Sequence, residues 1–522
     1  MPDFSNSDGD VFLVKLERMI DRGALLSRYS RTSNLDIRDV YRKEFENDSK
    51  RGEDFYRRVF LEYGDESVAE LVTAQVAIQN VSNILTKIIE EQRIGLSYLE
   101  KSSRYVSYSK KSGGAYLFCA PDSIGIPADL VGDYNELCNG LFEFYEQCLS
   151  PAQEFFTRKW PKESLLFPDR EGNEVLYGAL NGQDAESAEK SYRSAIRARA
   201  LDDLRALLPA STKTNVGISG NGRAFIYLIQ RLKSLNLPEA SRVADSLYRE
   251  LSIELPELMN AAINRYGERQ ISYRSEELEM VNPVEKHQSL PVCSFIDWDR
   301  EPSSAFRVAA ILQFQQTGVD ISTIMREMQN RGYDEVRDLL VKYSSKRSGR
   351  RDKVSRAYES CNYFLQVAVN FGAFRDVQRH RFLSISRPPL TPYNGYTVPE
   401  FFKSDPATLE RFNGLMEEAA KLYGRIRHAT GHNVAQYVIP FAYVHPVSIN
   451  ANVRELIHFC ELRSTPQSHY DLRNLSRIIY EGIKERTPAV AAGFRFVDTA
   501  EYALGRLRAE QRKEIKLRDM DR

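Results

Sequence analysis

Apolar positions recur along this chain with two different periods. In ADSLYRELSIEL (244–255) and RNLSRIIYEGIKER (473–486) they fall three or four residues apart, the spacing of one helix face. In SVAELVTAQVAIQNVSNIL (67–85) and SRAYESCNYFLQVAVNFGAF (355–374) a short helical start, carrying Glu70 or Glu359, gives way to a β-rich run. A polar cluster follows each run: EEQR (90–93) in one case, QRHR (378–381) in the other. YLEKSSRYVSYS (98–109) and YNGYTVPEFF (393–402) read as strand and loop. The tail from Arg506 onward, RLRAEQRKEIKLRDMDR, is charged all round and reads as a solvated terminal helix. The pattern predicts an α/β chain of the α+β kind, mostly helix with a few strands.

The order of elements repeats, and one correspondence is close in detail. In LRALLPASTKTNVGISGNGRAF (204–225) Pro209 precedes Asn221 by twelve residues; in AQYVIPFAYVHPVSINANVREL (435–456) Pro440 precedes Asn452 by the same twelve. Asn-x-Arg follows in both, as Asn221/Arg223 and Asn452/Arg454, and both continue into a helical pattern. The chain therefore reads as two tandem copies of one unit, 1–280 and 281–522, each helix-rich with a small mixed or antiparallel sheet. Pro283 and Pro291 punctuate the junction, NPVEKHQSLPVCSF. The first copy carries an insert, roughly 116–190, with turn-rich segments such as FPDREGNEV.

Composition narrows the function classes. Lys+Arg and Asp+Glu are both 72 in 522 residues, so no basic excess argues for a nucleic-acid coat. A local basic patch, SSKRSGRRDK (344–353), reads as a solvated loop. Six scattered cysteines without a CxxC pair argue against a zinc site and a disulfide framework, and suit a reducing cytoplasm. The N-terminus has no apolar signal region, and no apolar run reaches the roughly 18 residues of a membrane span.

Three clusters carry candidate chemistry. Arg379, His380 and Arg381 are adjacent, directly after an apolar run, and such a triplet calls for an opposing charge. In the second Asn-x-Arg helix, Asn452 and Arg463 lie three turns apart on one face, about 16 Å along the axis. Arg454 and His458 form an i, i+4 pair beside them, and this flank suits an extended anionic ligand. The first copy has Tyr227 and Leu232 at the places of His458 and Arg463, and its own Arg231 is displaced by one residue. In the first copy, Glu100, Ser102, Ser103 and Arg104 offer an acceptor, two hydroxyls and a forked cation suited to a sugar phosphate. Arg205 adds a second cation, where the second copy has Gln436.

These residues resemble the flavin-dependent thymidylate synthase family. Its marks are Arg-His-Arg after a β-rich run, then Asn-Glu-x-Ser-x-Arg-Tyr, then Asn-x-Arg in a helix ending in Leu-Arg. Arg379–Arg381 match the first, LEKSSRY (99–105) is similar to the second, and NVRELIHFCELR (452–463) to the third. SHYDLR (468–473) resembles the segment after it, while ALLSRYSR (24–31) and SFIDWDREPSSAFRVAAIL (294–312) look like two versions of the opening strand and helix. The resemblance covers most of both copies. It implies a homotetramer with sites between subunits, FAD as cofactor, and dUMP, methylenetetrahydrofolate and NADPH as partners. A dimer of this duplicated chain would then restore four pseudo-equivalent units.

The motifs are divided between the copies. Counted back from Ser102, Gln92, Arg93 and Ile94 fall where Arg-His-Arg belongs in the first copy, with Glu90 and Glu91 alongside. In the second copy Pro389 falls where the serine belongs. The resemblance thus implies one composite site, second-copy Arg-His-Arg facing first-copy Glu-x-Ser-Ser-Arg, and a dead reciprocal site. Within it, Arg379, His380 and Arg381 would hold FAD, supported by Asn452, Arg454 and His458. Glu100, Ser102, Ser103, Arg104 and Arg205 would hold the nucleotide, and Arg463 would stabilise charge on the uracil carbonyls. Arg463, Ser102 and Arg104 are the expected catalytic set. Leu99 and Asp376 depart from the family's Asn and Gln, which leaves open another pyrimidine nucleotide as substrate; the loss of half the sites leaves open a non-catalytic nucleotide-binding scaffold. No metal site is expected.

Overall fold

The computed structural model describes residues 3–33, 36–48, 50–62, 66–169, 171–279 and 289–520. The strands are β1 (Thr73–Ser82), β2 (Leu96–Glu100), β3 (Leu166–Pro168), β4 (Glu174–Leu176), β5 (Lys213–Asn221), β6 (Cys293–Trp298), β7 (Asn362–Asn370), β8 (Ser384–Ser386) and β9 (Val444–Asn452). They form one antiparallel sheet in each half, ordered β1-β5-β2 and β6-β7-β9-β8, and a small β3-β4 ribbon. The sub-order β7-β9-β8 repeats β1-β5-β2, as a tandem duplication requires. Each half also opens with three helices and a 3-10 turn: Met19–Tyr29, Ile37–Glu44, Arg51–Glu62 and Glu66–Leu71, against Ser303–Phe314, Ile321–Arg331, Tyr333–Ser344 and Arg356–Ser360.

The repeated Asn-x-Arg motif has a structural meaning common to both halves. Asn221 caps the helix Gly222–Lys233 by accepting from the Ala224 amide, and Asn452 caps Val453–Arg463 by accepting from the Glu455 amide, both at 2.9 Å. Arg223 then pairs with Glu70 at 3.0 Å, and Arg454 with Glu359 at 2.8 Å. The glutamate before the β-rich run and the arginine after the last strand are thus the two ends of one ion pair, built twice.

The halves meet at the other repeated feature. Pro209 and Pro440 form an antiparallel bridge. Ala210 donates to the Ile439 carbonyl and Phe441 to that of Leu208, both at 2.9 Å. This reciprocal exchange places a pseudo-twofold axis between the two prolines. Leu207, Leu208, Val438 and Ile439 are buried around it, so the inter-half seam is closed by apolar packing as well as by backbone hydrogen bonds.

Four sequence expectations change. The insert lies later than 116–190, because the helix Val131–Lys159 holds the place that Pro406–Thr430 holds in the second half; about 160–200 lacks a counterpart, including most of the helix Gly182–Leu204, which the second half reduces to His432–Ala435. The opening strand exists in the second half as β6, but the first sheet has no fourth strand among the described residues. The tail helix Leu507–Met520 is not simply solvated: Leu504, Arg506, Leu507 and Gln511 are buried, and Gln511 donates to the Leu166 carbonyl. The basic patch is not all loop surface either, since Arg347 is buried in a bidentate pair with Glu461. The junction around Pro283 lies outside the described residues.

Candidate functional site between the two halves

Helix caps give the register of the site. Asn370 caps Phe371–Val377 through the Ala373 amide, and Ser82 caps Asn83–Ile89 through the Leu85 amide, both at 2.9 Å; both helices have seven residues. Counted from these caps, Arg375 corresponds to Lys87, Asp376 to Ile88, and Arg379-His380-Arg381 to Glu91-Gln92-Arg93. The first-half counterpart therefore lies one residue earlier than the count from Ser102 places it. Strand pairing supplies the other register: Ser97 pairs with Ser219 and Ser384 with Asn450, each partner two residues before the capping asparagine. It follows that Glu100 corresponds to Arg387, and Ser102 to Pro389.

Within one chain, the second-half turn lies against the first-half Glu-x-Ser-Ser-Arg element. Arg375 donates to Glu100 and to the Ser103 hydroxyl, each at 2.8 Å. Gln378 donates to the Lys87 carbonyl at 2.7 Å, and Arg381 to the Leu96 carbonyl and the Ser97 hydroxyl at 2.7 and 2.9 Å. Arg93 returns the contact by donating to the Leu383 carbonyl at 2.7 Å. Arg379 and Arg381 stay exposed, and Phe382 beside them is 81% exposed. Arg379 has no ion pair among the described residues.

The predicted nucleotide-binding residues are already engaged to different degrees. Both oxygens of Glu100 are enclosed, one by Arg375 and Thr86, the other by Lys87. Burial alone would raise its carboxyl; Arg375 and Lys87 outweigh burial and bring it down to about 2. Glu100 thus ties the halves together and faces no ligand space. Arg104 gives its fork to Asp202, at 2.8 and 3.1 Å, and a further bond to the Gln467 carbonyl at 3.3 Å. Arg506 from the tail shares Asp202 at 3.1 Å. Ser102 is half-buried, and its hydroxyl accepts from the Arg104 amide at 3.3 Å. Arg205 is buried with one Nη nitrogen lacking any hydrogen bond. Its guanidinium lies against Gly372, where a Cβ would stand 3.2 Å from Nε, close enough that Arg205 would have to give way by a few tenths of an ångström.

Asp376 is the anionic member of this group. Burial would raise its carboxyl, but Arg104, Arg463, Arg205 and Arg379 around it hold it well below the usual carboxylate range. Arg463 donates through Nη2 to the Asp376 carbonyl at 3.0 Å and through Nε to His380 Nε2 at 2.9 Å. His380 Nδ1 lies 3.0 Å from Glu455. Burial, reinforced by Arg463, depresses the His380 imidazole to about 3. His458 stacks obliquely on His380, ring centres 5.4 Å apart, and its Nδ1 receives the Lys353 ammonium at 3.1 Å.

The structure therefore brings together Arg379, His380, Arg381, Arg463 and His458 from the second half with Glu100, Ser102, Ser103, Arg104 and Arg205 from the first. Asn452 gives its Oδ1 to the helix cap and Arg454 pairs with Glu359, so both already have partners within the fold. Sequence reasoning missed Arg375, Asp202 and Glu455. Arg375 had a readable signal, a cation five residues after the cap in both copies.

The reciprocal position is inverted in charge. Glu91 replaces Arg379, Arg387 replaces Glu100, and the two form an ion pair, with Arg231 as a second partner of Glu91. Arg387 and Arg231 are buried enough that burial pulls each guanidinium down to about 10. Two cations and one carboxylate of the chain itself fill this place.

No helix among the described residues is long and apolar enough to cross a membrane, and no His/Cys/Asp/Glu cluster among them suits a metal ion. The cysteines are thiols, and burial pushes Cys138, Cys148, Cys293 and Cys361 up to about 12, far from a thiolate nucleophile.

A profile described as thymidylate synthase complementing protein matches residues 21–257 and 296–489. The chain is 47% identical over 498 residues to a UPF0159 protein of Thermoplasma acidophilum, covering 95% of this chain and 99% of the relative. It is 32% identical to a UPF0159 protein of Chlamydia muridarum, covering 98% and 96%. Over 100 residues it is 28% identical to the flavin-dependent thymidylate synthase of Thermococcus onnurineus, covering 19% of this chain and 40% of that enzyme.

Proposed function

Because the chain belongs to the thymidylate synthase complementing protein family, we propose that it is a flavin-dependent enzyme that methylates dUMP to dTMP at one composite site per chain. Methylenetetrahydrofolate would be the one-carbon donor, NADPH the reductant and the cytoplasm the compartment. A homodimer would bring two such sites together. The observation that carries this reading is the asymmetry of the seam: Arg375 joins Glu100 and Ser103 beside exposed Arg379 and Arg381, while the reciprocal place holds Glu91 and Arg387.

The residues present fit an FAD. Arg379 and Arg381 are exposed cations on either side of buried His380, with Phe382 beside them, a surface for a pyrophosphate and a ring. The flavin, when bound, supplies the redox chemistry. The chain's own contribution is positional and electrostatic. Arg205 offers its unsatisfied buried nitrogen to a phosphate, and Ser102 adds a hydroxyl. Arg463, fixed between His380 and the Asp376 backbone, stabilises charge that develops on a pyrimidine carbonyl.

The first test is the visible spectrum of the purified protein titrated with FAD. One flavin per chain, followed by conversion of dUMP, supports the reading. Two flavins per chain overturn the single composite site, and none turns the seam into a scaffold. A second reading, a flavoenzyme acting on another pyrimidine nucleotide, is favoured by Asp376. Its carboxylate sits ionised among Arg104, Arg205, Arg379 and Arg463, an acceptor suited to a base amino group or a ribose 2′-hydroxyl, neither of which dUMP has. Comparing uridine, cytidine and deoxyuridine monophosphates as substrates separates the two.

A further inference from the structure

Glu455 follows the capping asparagine by three residues, and its side chain is 8% exposed beside His380 at 3%. The two nitrogens of His380 face different partners. Nδ1 lies 3.0 Å from the Glu455 carboxylate, and Nε2 lies 2.9 Å from Arg463 Nε. A guanidinium N–H only donates, so Nε2 of His380 carries a lone pair there. Nδ1 therefore carries the proton and donates it to Glu455.

We propose that Glu455 and His380 act as a two-residue relay that aims Arg463, and that Glu455 is a positioning residue of the composite site. The relay rests on the reading of that site given above. Glu455 fixes the imidazole tautomer; the tautomer gives Arg463 Nε an acceptor. With Nη2 on the Asp376 carbonyl at 3.0 Å, the guanidinium is held at two corners. Nη1, 3.9 Å from the Asp376 carboxylate, is the corner left for a ligand. The alternative tautomer would set two N–H groups against each other between His380 and Arg463, in a place too buried for water to separate them.

A second observation is independent of these distances. All three members of the relay change together in the first half. By the cap registers, Ala224 stands for Glu455, Gln92 for His380 and Leu232 for Arg463. The capping asparagine and the Glu-Arg pair, which build the fold, survive in both halves. Fold-building contacts are thus duplicated, while the relay exists only where the site does. The neighbouring His458 is held in the opposite state. Its Nδ1 lies 3.1 Å from the Lys353 ammonium, which only donates, so a neutral His458 carries its proton on Nε2.

The test is a long-range proton–nitrogen spectrum of the full chain labelled in histidine, with His380 and His458 assigned from His380→Gln and His458→Gln. We expect a protonated Nδ1 and a bare Nε2 at His380, the reverse at His458, and no titration of His380 between about pH 5.5 and 8. Glu455→Gln, which keeps an accepting oxygen, should preserve the His380 pattern. Glu455→Leu should lose it and weaken dUMP binding on the order of tenfold, and Arg463→Leu added to it should weaken binding little further. A protonated Nε2 at His380 in the wild type, ordinary titration near pH 6.5, or an unchanged spectrum in Glu455→Leu would overturn the relay. If the spectra agree and dUMP fails to bind any form, the relay stands and the substrate reading falls.

Discussion

The guanidinium of Arg375 donates to the carboxylate of Glu100 across 2.8 Å, joining the second half of the chain to the first inside the protein. Lys87, the residue that corresponds to Arg375 in the first half, reaches the other oxygen of the same carboxylate at 2.9 Å. One acid thus sits between two pseudo-equivalent cations, and only one half supplies it. Replacing Arg375 by Met removes one of the two counter-charges and leaves the Ser103 hydroxyl without its donor. Breaking a buried pair costs about 3–5 kcal/mol, and the surviving Lys87 contact places this variant at the low end. Urea unfolding of Arg375→Met, of Glu100→Gln and of the double variant measures it. The double variant should recover part of the loss; a double variant worse than the sum of its singles would show that the pair does not hold the seam.

Flavin binding should respond to one half of the pseudo-symmetric seam only. Arg379→Ala is expected to weaken FAD binding on the order of tenfold or more, the loss of a charge-assisted contact. Glu91→Ala, at the corresponding place, should leave FAD affinity within about twofold while lowering stability, because Arg387 and Arg231 then lose a buried counter-charge. Equal damage to FAD binding by both variants would show that the two places are alike.

His445 offers a test of pH dependence. It is fully buried, both ring nitrogens lack a hydrogen bond, and it lies edge-on to Phe371 and Phe374 at 5.7 and 4.9 Å. Burial, reinforced by Arg387, holds its imidazole well below the ordinary value of 6.5. Below pH 6.5 the unfolded chain therefore binds a proton at this residue that the folded chain does not, and the wild type loses stability as pH falls. His445→Phe removes that term. Its stability relative to the wild type should increase by up to about 1.4 kcal/mol per pH unit on going below 6.5, read from denaturation midpoints at pH 7.5, 6 and 5. A constant difference over that range would mean that His445 protonates in the folded state.

Arg506 ties the tail to the site. It donates to Asp202 and to the Arg104 carbonyl. Arg506→Met should destabilise the protein by about 1–3 kcal/mol and expose the tail helix to limited proteolysis, while Asp202 keeps its pair with Arg104. A tail no more sensitive to protease than in the wild type would show that the helix Leu507–Met520 is anchored by its apolar contacts alone.

What could be read from the sequence divides along a physical line. Caps and strand runs depend on near neighbours, so Asn221, Asn452 and the doubled β-rich runs showed the repeat directly. The partners of Arg454, Glu100 and Arg104 come from 95, 275 and 98 residues away, and no local pattern announces them. That is why Arg454 was expected at a ligand and is found on Glu359. It is also why Glu100 was expected at a nucleotide and is found enclosed. Asp202 and Arg506 share the same distance problem: one lies in the helix Gly182–Leu204, the other 304 residues on at the start of the tail. The opposition of the Arg-His-Arg turn to the Glu-x-Ser-Ser-Arg element followed from family resemblance; periodicity alone does not contain it.

The Pro209–Pro440 bridge carries a consequence for how such a protein changes over generations. An assembly of identical subunits repeats every substitution at every site, so a mutation that perfects one location damages its mirror image as well. Here the two sides of the axis are separate stretches of one gene. Arg387 was free to appear opposite Glu100, and Glu91 opposite Arg379, without either change touching the other location. Fusion turned a symmetric constraint into two independent drafts, and the chain has used one for exposed cations and the other for a lock.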